Sequence, residues 1–146
     1  MNTLALSVPA TRSKPLAPLV LRLALAAMWL SHALLKLLVY TLPGTVAFFE
    51  SQGLPGLLVY VVVPLEIAGA VALLLGFYAR QVALLLVPIL VGAFSVHLAN
   101  GWVFSAAGGG WEYPLFLIAV SIVLWLSPDG ALALRTSARF VPAVRA

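Results

Sequence analysis

The stretch Trp29-Leu30-Ser31-His32-Ala33-Leu34-Leu35-Lys36 puts a histidine and a lysine inside an apolar run long enough to cross a bilayer. On a helix, Trp29, His32 and Lys36 share one face, because they follow the i, i+3, i+7 spacing of a 3.6-residue period. An ammonium group within hydrocarbon is costly unless it snorkels, pairs or lines a wet cavity, so Lys36 predicts a counter-charge on another helix. The chain contains only four acids, which makes the search short.

The 146 residues are 64% hydrophobic and 8% charged, with a mean hydropathy of +1.14. That excludes an ordinary soluble domain and points to a polytopic membrane protein. The length allows about four spans of roughly 20 residues. They form one domain, since short helices must pack together to bury anything polar. The expected fold class is therefore all-α, a polytopic membrane four-helix bundle. A net charge of +4 suits nucleic acid or an acidic partner in principle. The basic residues sit at span ends, however, where a positive-inside bias places them, so no nucleic-acid partner is expected. With no cysteine, disulfide exchange, iron–sulfur ligation and covalent c-type haem attachment by this chain are excluded. Redox chemistry would need a bound cofactor or a partner subunit.

Residues 1–18 read as a flexible cytoplasmic tail, with Pro9, Pro15 and Pro18 among Arg12 and Lys14. Arg22 interrupts what would be a signal-peptide core and the apolar run continues to Tyr40, so this segment is expected to be retained. The spans are expected over 19–40, 56–77, 81–98 and 111–126, within a membrane domain of 19–130. Residues 41–55 carry turn chemistry around a short amphipathic piece, Val46 to Glu50, expected at the membrane surface. Pro64 is read as kinking the second span, because starting it there would leave only about a dozen residues, too few to cross. The kink would free the Tyr60 carbonyl beside Glu66. Ala68, Ala72 and Gly76 recur every four residues as a small-residue seam. The tail, 131–146, contains Arg135, Arg139 and Arg145 and reads as a basic cytoplasmic segment forming a short helix against anionic lipid.

Basic residues precede span one, lie between spans two and three, and follow span four, whereas the other two loops have no lysine or arginine. Both termini are therefore expected inside, in an N-in/C-in topology. Counted from the outer helix ends at about 1.5 Å per residue, Lys36 and His97 come roughly 5 Å deep, His32 roughly 10 Å and Glu66 roughly 15 Å. Glu112 falls at the outer lip. These five residues, from four helices, predict one site open to the non-cytoplasmic side.

Each residue also has a plainer reading. Lys36 can simply snorkel. Glu66 is either neutral or paired with a cation such as Lys36, as a working group or as a polar clamp between helices. Arg80 reads as an interface anchor. His97 as a lone signal is a satisfied interfacial histidine. Together with His32, and with Met28 one turn away, it could instead ligate a b-type haem or copper. Glu112 favours a helix N-terminus. The glycines Gly108-Gly109-Gly110 lack the strand, spacing and lysine of a phosphate loop. Trp29, Trp102, Trp111 and Tyr113 suit an aromatic belt, although Trp29 shares the His32 face and could wall a ring-shaped ligand.

Taken in order, Ser31 to Lys36, Pro64-Leu65-Glu66-Ile67-Ala68-Gly69-Ala70, Leu74 to Arg80, His97 and Gly109-Gly110-Trp111-Glu112-Tyr113-Pro114-Leu115 resemble the DoxX family of small four-helix membrane proteins. The resemblance covers about residues 19–130, and its most specific parts are the mid-span glutamate and the glycine-tryptophan-glutamate-tyrosine-proline run. Leu126 to Leu134 departs from the family pattern of a glycine-rich turn and an acidic ending, since Asp129 comes early and arginines follow. The resemblance implies membrane subunits of quinone-linked oxidoreductases, notably those oxidising thiosulfate to tetrathionate. Relatives accompany methylamine dehydrogenase maturation, oxidative-stress complexes and copper-responsive peptide clusters. By position, the family's polar pattern falls on His32, Lys36, Glu66, Arg80, His97 and Glu112.

The expected function is thus a quinone-interacting subunit of a redox complex in the bacterial inner membrane. Glu66, Lys36 and His32 are the expected catalytic residues, and Trp29, His32, His97 and Glu112 the expected cofactor contacts, with no metal site assigned. Expected partners are the lipid bilayer and a redox subunit, with homo-oligomerisation left open. The rival reading is a non-enzymatic accessory or assembly protein, in which the charges merely lock the helices. A transporter is a third reading, disfavoured because four short spans show no evident inverted repeat.

Overall fold

The computed structural model describes residues 15–137. The expected N-terminal tail therefore lies almost entirely outside the described residues, as do Arg139 and Arg145. Helix α1 (Ala17–Leu34) starts with Pro18 in its first turn, where a missing amide proton costs nothing, and passes at Leu35–Val39 into a π-helical turn. Helix α2 (Leu42–Ser51) is longer than the amphipathic piece read from the sequence. The Thr41 hydroxyl caps it by accepting from the Gly44 amide at 3.4 Å. After a 3₁₀ turn at Gly56–Leu58 come α3 (Val59–Leu75), α4 (Ala79–His97) with a 3₁₀ extension to Asn100, and α5 (Glu112–Leu126). Helix α3 continues through Pro64 rather than starting there.

Helices α1, α3, α4 and α5 pack as a closed ring, each against two neighbours, with α2 lying across one end. The three residues Gly76, Phe77 and Tyr78 connect α3 to α4 and make an antiparallel hairpin; Gly76 takes the left-handed conformation that ends α3. The core, which includes Leu25, Trp29, Leu73, Leu86 and Leu124, is apolar, but so is the outside, where Val20, Leu38, Leu85 and Phe116 stand exposed. Apolar faces inside and out, with backbone polar groups satisfied within helices, are what a bilayer requires. Three segments, Ala17–Val39, Gly56–Leu75 and Ala79–Asn100, are long and apolar enough to cross. The apolar α5 is shorter, and its 15 residues rise about 22 Å.

The small-residue seam lies elsewhere than its spacing suggests. Ala68 is exposed and Ala72 half-buried, whereas Gly69 is buried, where an added Cβ would meet Leu86 of α4 at 2.6 Å. The close α3–α4 approach thus runs along the Glu66, Gly69, Leu73 face.

At the opposite end from α2, the chain ties itself together. The Pro15 carbonyl accepts from the Ala131 amide at 3.1 Å, so the start of α1 meets the segment after α5. Arg22, 1% exposed, donates to the carbonyls of Asp129 (3.4 Å) and Ala131 (3.2 Å). Arg80 is also buried and donates from Nε to the Trp125 carbonyl at 2.7 Å, so it satisfies the last turn of α5 rather than lying at the lipid interface. Residues 131–137 are not helical, and the rest of the expected tail helix lies outside the described residues. After a turn at Ala131–Leu132 the chain meets the α3–α4 turn, with Leu134 and Arg135 donating to Leu75 and Gly76 and Arg135 accepting from Tyr78.

Candidate functional site

The site begins where α1 changes pitch. In the π turn the Tyr40 amide reaches back five residues to Leu35 at 2.9 Å. The turn is wider than an α turn and leaves carbonyls free for other donors. One of them, the Lys36 carbonyl, accepts from the buried Thr45 hydroxyl at 3.3 Å, which fastens α2 onto the turn.

From this turn Lys36 Nζ donates to both carboxylate oxygens of Glu66 on α3, at 2.6 and 2.8 Å. Glu66 is 2% exposed and the Lys36 side chain 19%. The counter-charge predicted from Lys36 is thus Glu66. Two charges in an apolar bundle persist because each satisfies the other.

Two histidines flank the pair. On α1, His32 Nδ1 lies 3.0 Å from the Met28 carbonyl, and its ring stacks on Tyr113 of α5 with centroids 6.1 Å apart. At the end of α4, His97 Nδ1 lies 3.0 Å from the Gly108 carbonyl, to which Asn100 also donates. A carbonyl can only accept, so in each ring Nδ1 carries a proton and Nε2 is the position left to exchange one.

Trp29, His32, Lys36, Glu66 and His97 line one cavity of about 110 Å³ among α1, α3, α4 and α5, with Met28, Ala93, Tyr113, Pro114 and Leu117 in its walls. Lys36 and His97 also border a second chamber of about 490 Å³, walled by Tyr40, Gly44, Thr45, Phe48, Phe49 and Gly108. Glu112 stands apart from both. Its carboxylate accepts from the Phe104 amide at 2.8 Å, pinning the loop before α5, and it lines a separate apolar groove with Trp102 and Phe116. The charge that favours a helix N-terminus is doing that here.

Among the described residues no three His, Asp or Glu side chains are grouped to hold a metal. Met28, His32 and His97 do share the inner cavity, but it is smaller than the cavity of about 150 Å³ that accepts benzene, so a haem macrocycle does not fit between the histidines.

The model of the DoxX family matches residues 17–99, more than half of the chain. The chain belongs to the DoxX family. The matched region contains Trp29, His32, Lys36, Glu66 and His97, the residues that share the inner cavity, while Glu112 lies beyond it. This DoxX protein is also 32% identical over 124 residues to "Putative oxidoreductase CatD" of Bacillus subtilis (strain 168), covering 84% of this chain and 87% of that protein. No solved structure matches it.

Several contributors carry weak sequence signals. Tyr113 reads as a belt aromatic and becomes a wall of the inner cavity against His32. Thr45 reads as loop chemistry and is the tie that holds α2 to the lysine's own backbone. Phe48 and Phe49 mark an amphipathic surface piece, and only the packing of α2 makes them chamber walls.

Proposed function

We propose that this DoxX protein is a quinone-interacting subunit of a redox complex in the bacterial inner membrane, with both termini in the cytoplasm. The observation that carries the reading is the Lys36–Glu66 pair with His32 and His97 around one cavity, joined through Lys36 and His97 to a larger chamber. Converting a quinone to a quinol takes two electrons and two protons, one proton to each carbonyl oxygen. The electrons come from a partner redox protein or directly from a reduced substrate, because this chain has no cysteine to hold an iron–sulfur centre. Lys36 donates a hydrogen bond to a carbonyl oxygen. His97 takes up protons from outer water, and Glu66, with the free Nε2 of His32, hands them on within the core to the quinone oxygens. The oxidoreductase named in Bacillus subtilis supports the same class of chemistry.

A second reading has its own observation. The ion pair joins α1 to α3, and the carbonyl of the same lysine holds α2. Those contacts suit an accessory or assembly protein whose charges only lock helices. Organic-solvent extraction of the detergent-purified protein separates the two. Near-stoichiometric quinone that falls in Glu66→Gln and Lys36→Met variants which still fold supports the redox subunit. No quinone in the wild-type protein, with both variants unfolded, supports the accessory role.

A further inference from the structure

Resting on the quinone reading, we infer that the quinone ring occupies the outer chamber under α2, and that the inner cavity is a proton chamber that never holds the ring. Size decides first. A cavity of about 150 Å³ is known to hold benzene, and a quinone ring is larger, with two oxygens and further substituents. The inner cavity offers about 110 Å³, whereas the chamber beneath α2 offers about 490 Å³.

The walls agree with the volumes. Tyr40, Phe48 and Phe49 give the outer chamber aromatic surfaces against which a flat ring can stack. Tyr40 and Phe48 are exposed, so the chamber opens to the outside of the bundle, where an amphiphile moving along the membrane can enter without crossing the helix ring. Trp29 borders the inner cavity and not the outer chamber, and so does not meet the ring.

One donor serves both compartments. An ammonium group has three protons, and Lys36 commits two hydrogen bonds to Glu66, so the third proton remains for a carbonyl oxygen on the outer side. The Thr45 hydroxyl is no competitor, since it already donates towards the Thr41 and Lys36 carbonyls. His97 Nδ1 is held by Gly108, which leaves Nε2 as the group that can exchange a proton at the common wall. Lys36 thus touches the ring and Glu66 does not. The carboxylate acts through the lysine.

Photolabelling the full-length protein in detergent tests this. The probes are short-chain benzo- and naphthoquinones carrying an azide on the ring, competed with the same quinones lacking it. Competable label is expected on peptides containing Tyr40, Phe48 and Phe49. Gly44→Phe is expected to weaken the competitor tenfold or more, because Gly44 lines the outer chamber and has room for a Cβ, its nearest contact being Thr41 Oγ1 at 3.5 Å. Ala93 lines the inner cavity, so Ala93→Leu, which fills it, is expected to leave affinity within twofold. Label on Met28 or Tyr113, or loss of affinity in Ala93→Leu but not in Gly44→Phe, overturns the placement while keeping the quinone. Absence of competable label from wild-type protein with either quinone class overturns the quinone reading itself. Melting temperatures of both variants establish that they fold, and the label map on wild-type protein stands without them.

Discussion

Lys36 Nζ sits 2.6 and 2.8 Å from the two carboxylate oxygens of Glu66, tying the π turn of α1 to the middle of α3. Breaking a buried pair leaves one uncompensated charge, at a typical cost of 3–5 kcal/mol, roughly 3 kcal/mol being expected here because the Lys36 side chain is 19% exposed. Glu66→Leu alone should therefore lower stability by about that amount. The double variant Lys36→Met/Glu66→Leu should recover most of the loss, because no charge is then left in the core. Thermal unfolding in detergent of the two single variants and the double variant checks it through the coupling energy. Additive losses would mean that the contact is of little energetic consequence.

Thr45→Val keeps the shape of the side chain and removes the hydroxyl that donates to the Lys36 and Thr41 carbonyls. The loss should be about 1 kcal/mol, concentrated locally. Hydrogen exchange should quicken at the α2 amides and at the π turn while the cores of α3 and α4 keep their protection. Uniformly faster exchange would show that α2 is part of the global fold rather than a separately held element.

How far the sequence reaches into this arrangement depends on the kind of force involved. The four packed helices follow from apolar runs and span length, which act locally and leave a periodic trace. The Lys36–Glu66 contact was legible because hydrocarbon makes an unpaired charge so costly that a partner must exist among very few acids. Glu112 shows the limit. Depth alone placed it with the others, whereas rotation about α5 and a backbone amide at Phe104 claimed its carboxylate. The seam at Ala68 and Ala72 misled for a similar reason, since spacing says which residues share a face but not which face meets a neighbour. Arg22 and Arg80 were read through charge statistics and turned out to satisfy carbonyls at the end of α5 and just beyond it, a role set by tertiary geometry.

Gly76 is the point where α3 ends and the segment after α5 comes to rest. Its φ is +66°, and a Cβ there would strike the Arg22 guanidinium and lie 2.7 Å from Ala133 Cα. Gly76→Ala should therefore cost more than the roughly 1 kcal/mol that a left-handed backbone alone imposes. It should also loosen residues 133–135, of which Leu134 and Arg135 donate to Leu75 and Gly76. Limited proteolysis should cut the variant faster near Arg135 than the wild-type protein, and a melting curve should fall by several degrees. An unchanged digestion pattern would show that Arg22 and the tail shift together without losing their contacts.

Orientation can be read directly because the chain has no cysteine, so each introduced thiol reports alone. Arg22, Arg80 and Arg135 belong to the end where the start of α1, the α3–α4 turn and the segment after α5 meet, and the loops at 41–55 and 101–111 contain no lysine or arginine. The positive-inside bias predicts the arginine end in the cytoplasm and the chamber under α2 at the opposite surface. Ser51→Cys and Ser105→Cys should then react with a membrane-impermeant maleimide in intact spheroplasts, and Thr136→Cys only after permeabilisation. All three sites are exposed in the folded chain, so slow labelling at any of them reflects the membrane and not burial. The reverse pattern would turn the chamber towards the cytoplasm, and the protons exchanged at His97 would then be drawn from the cytoplasm instead of the outer water.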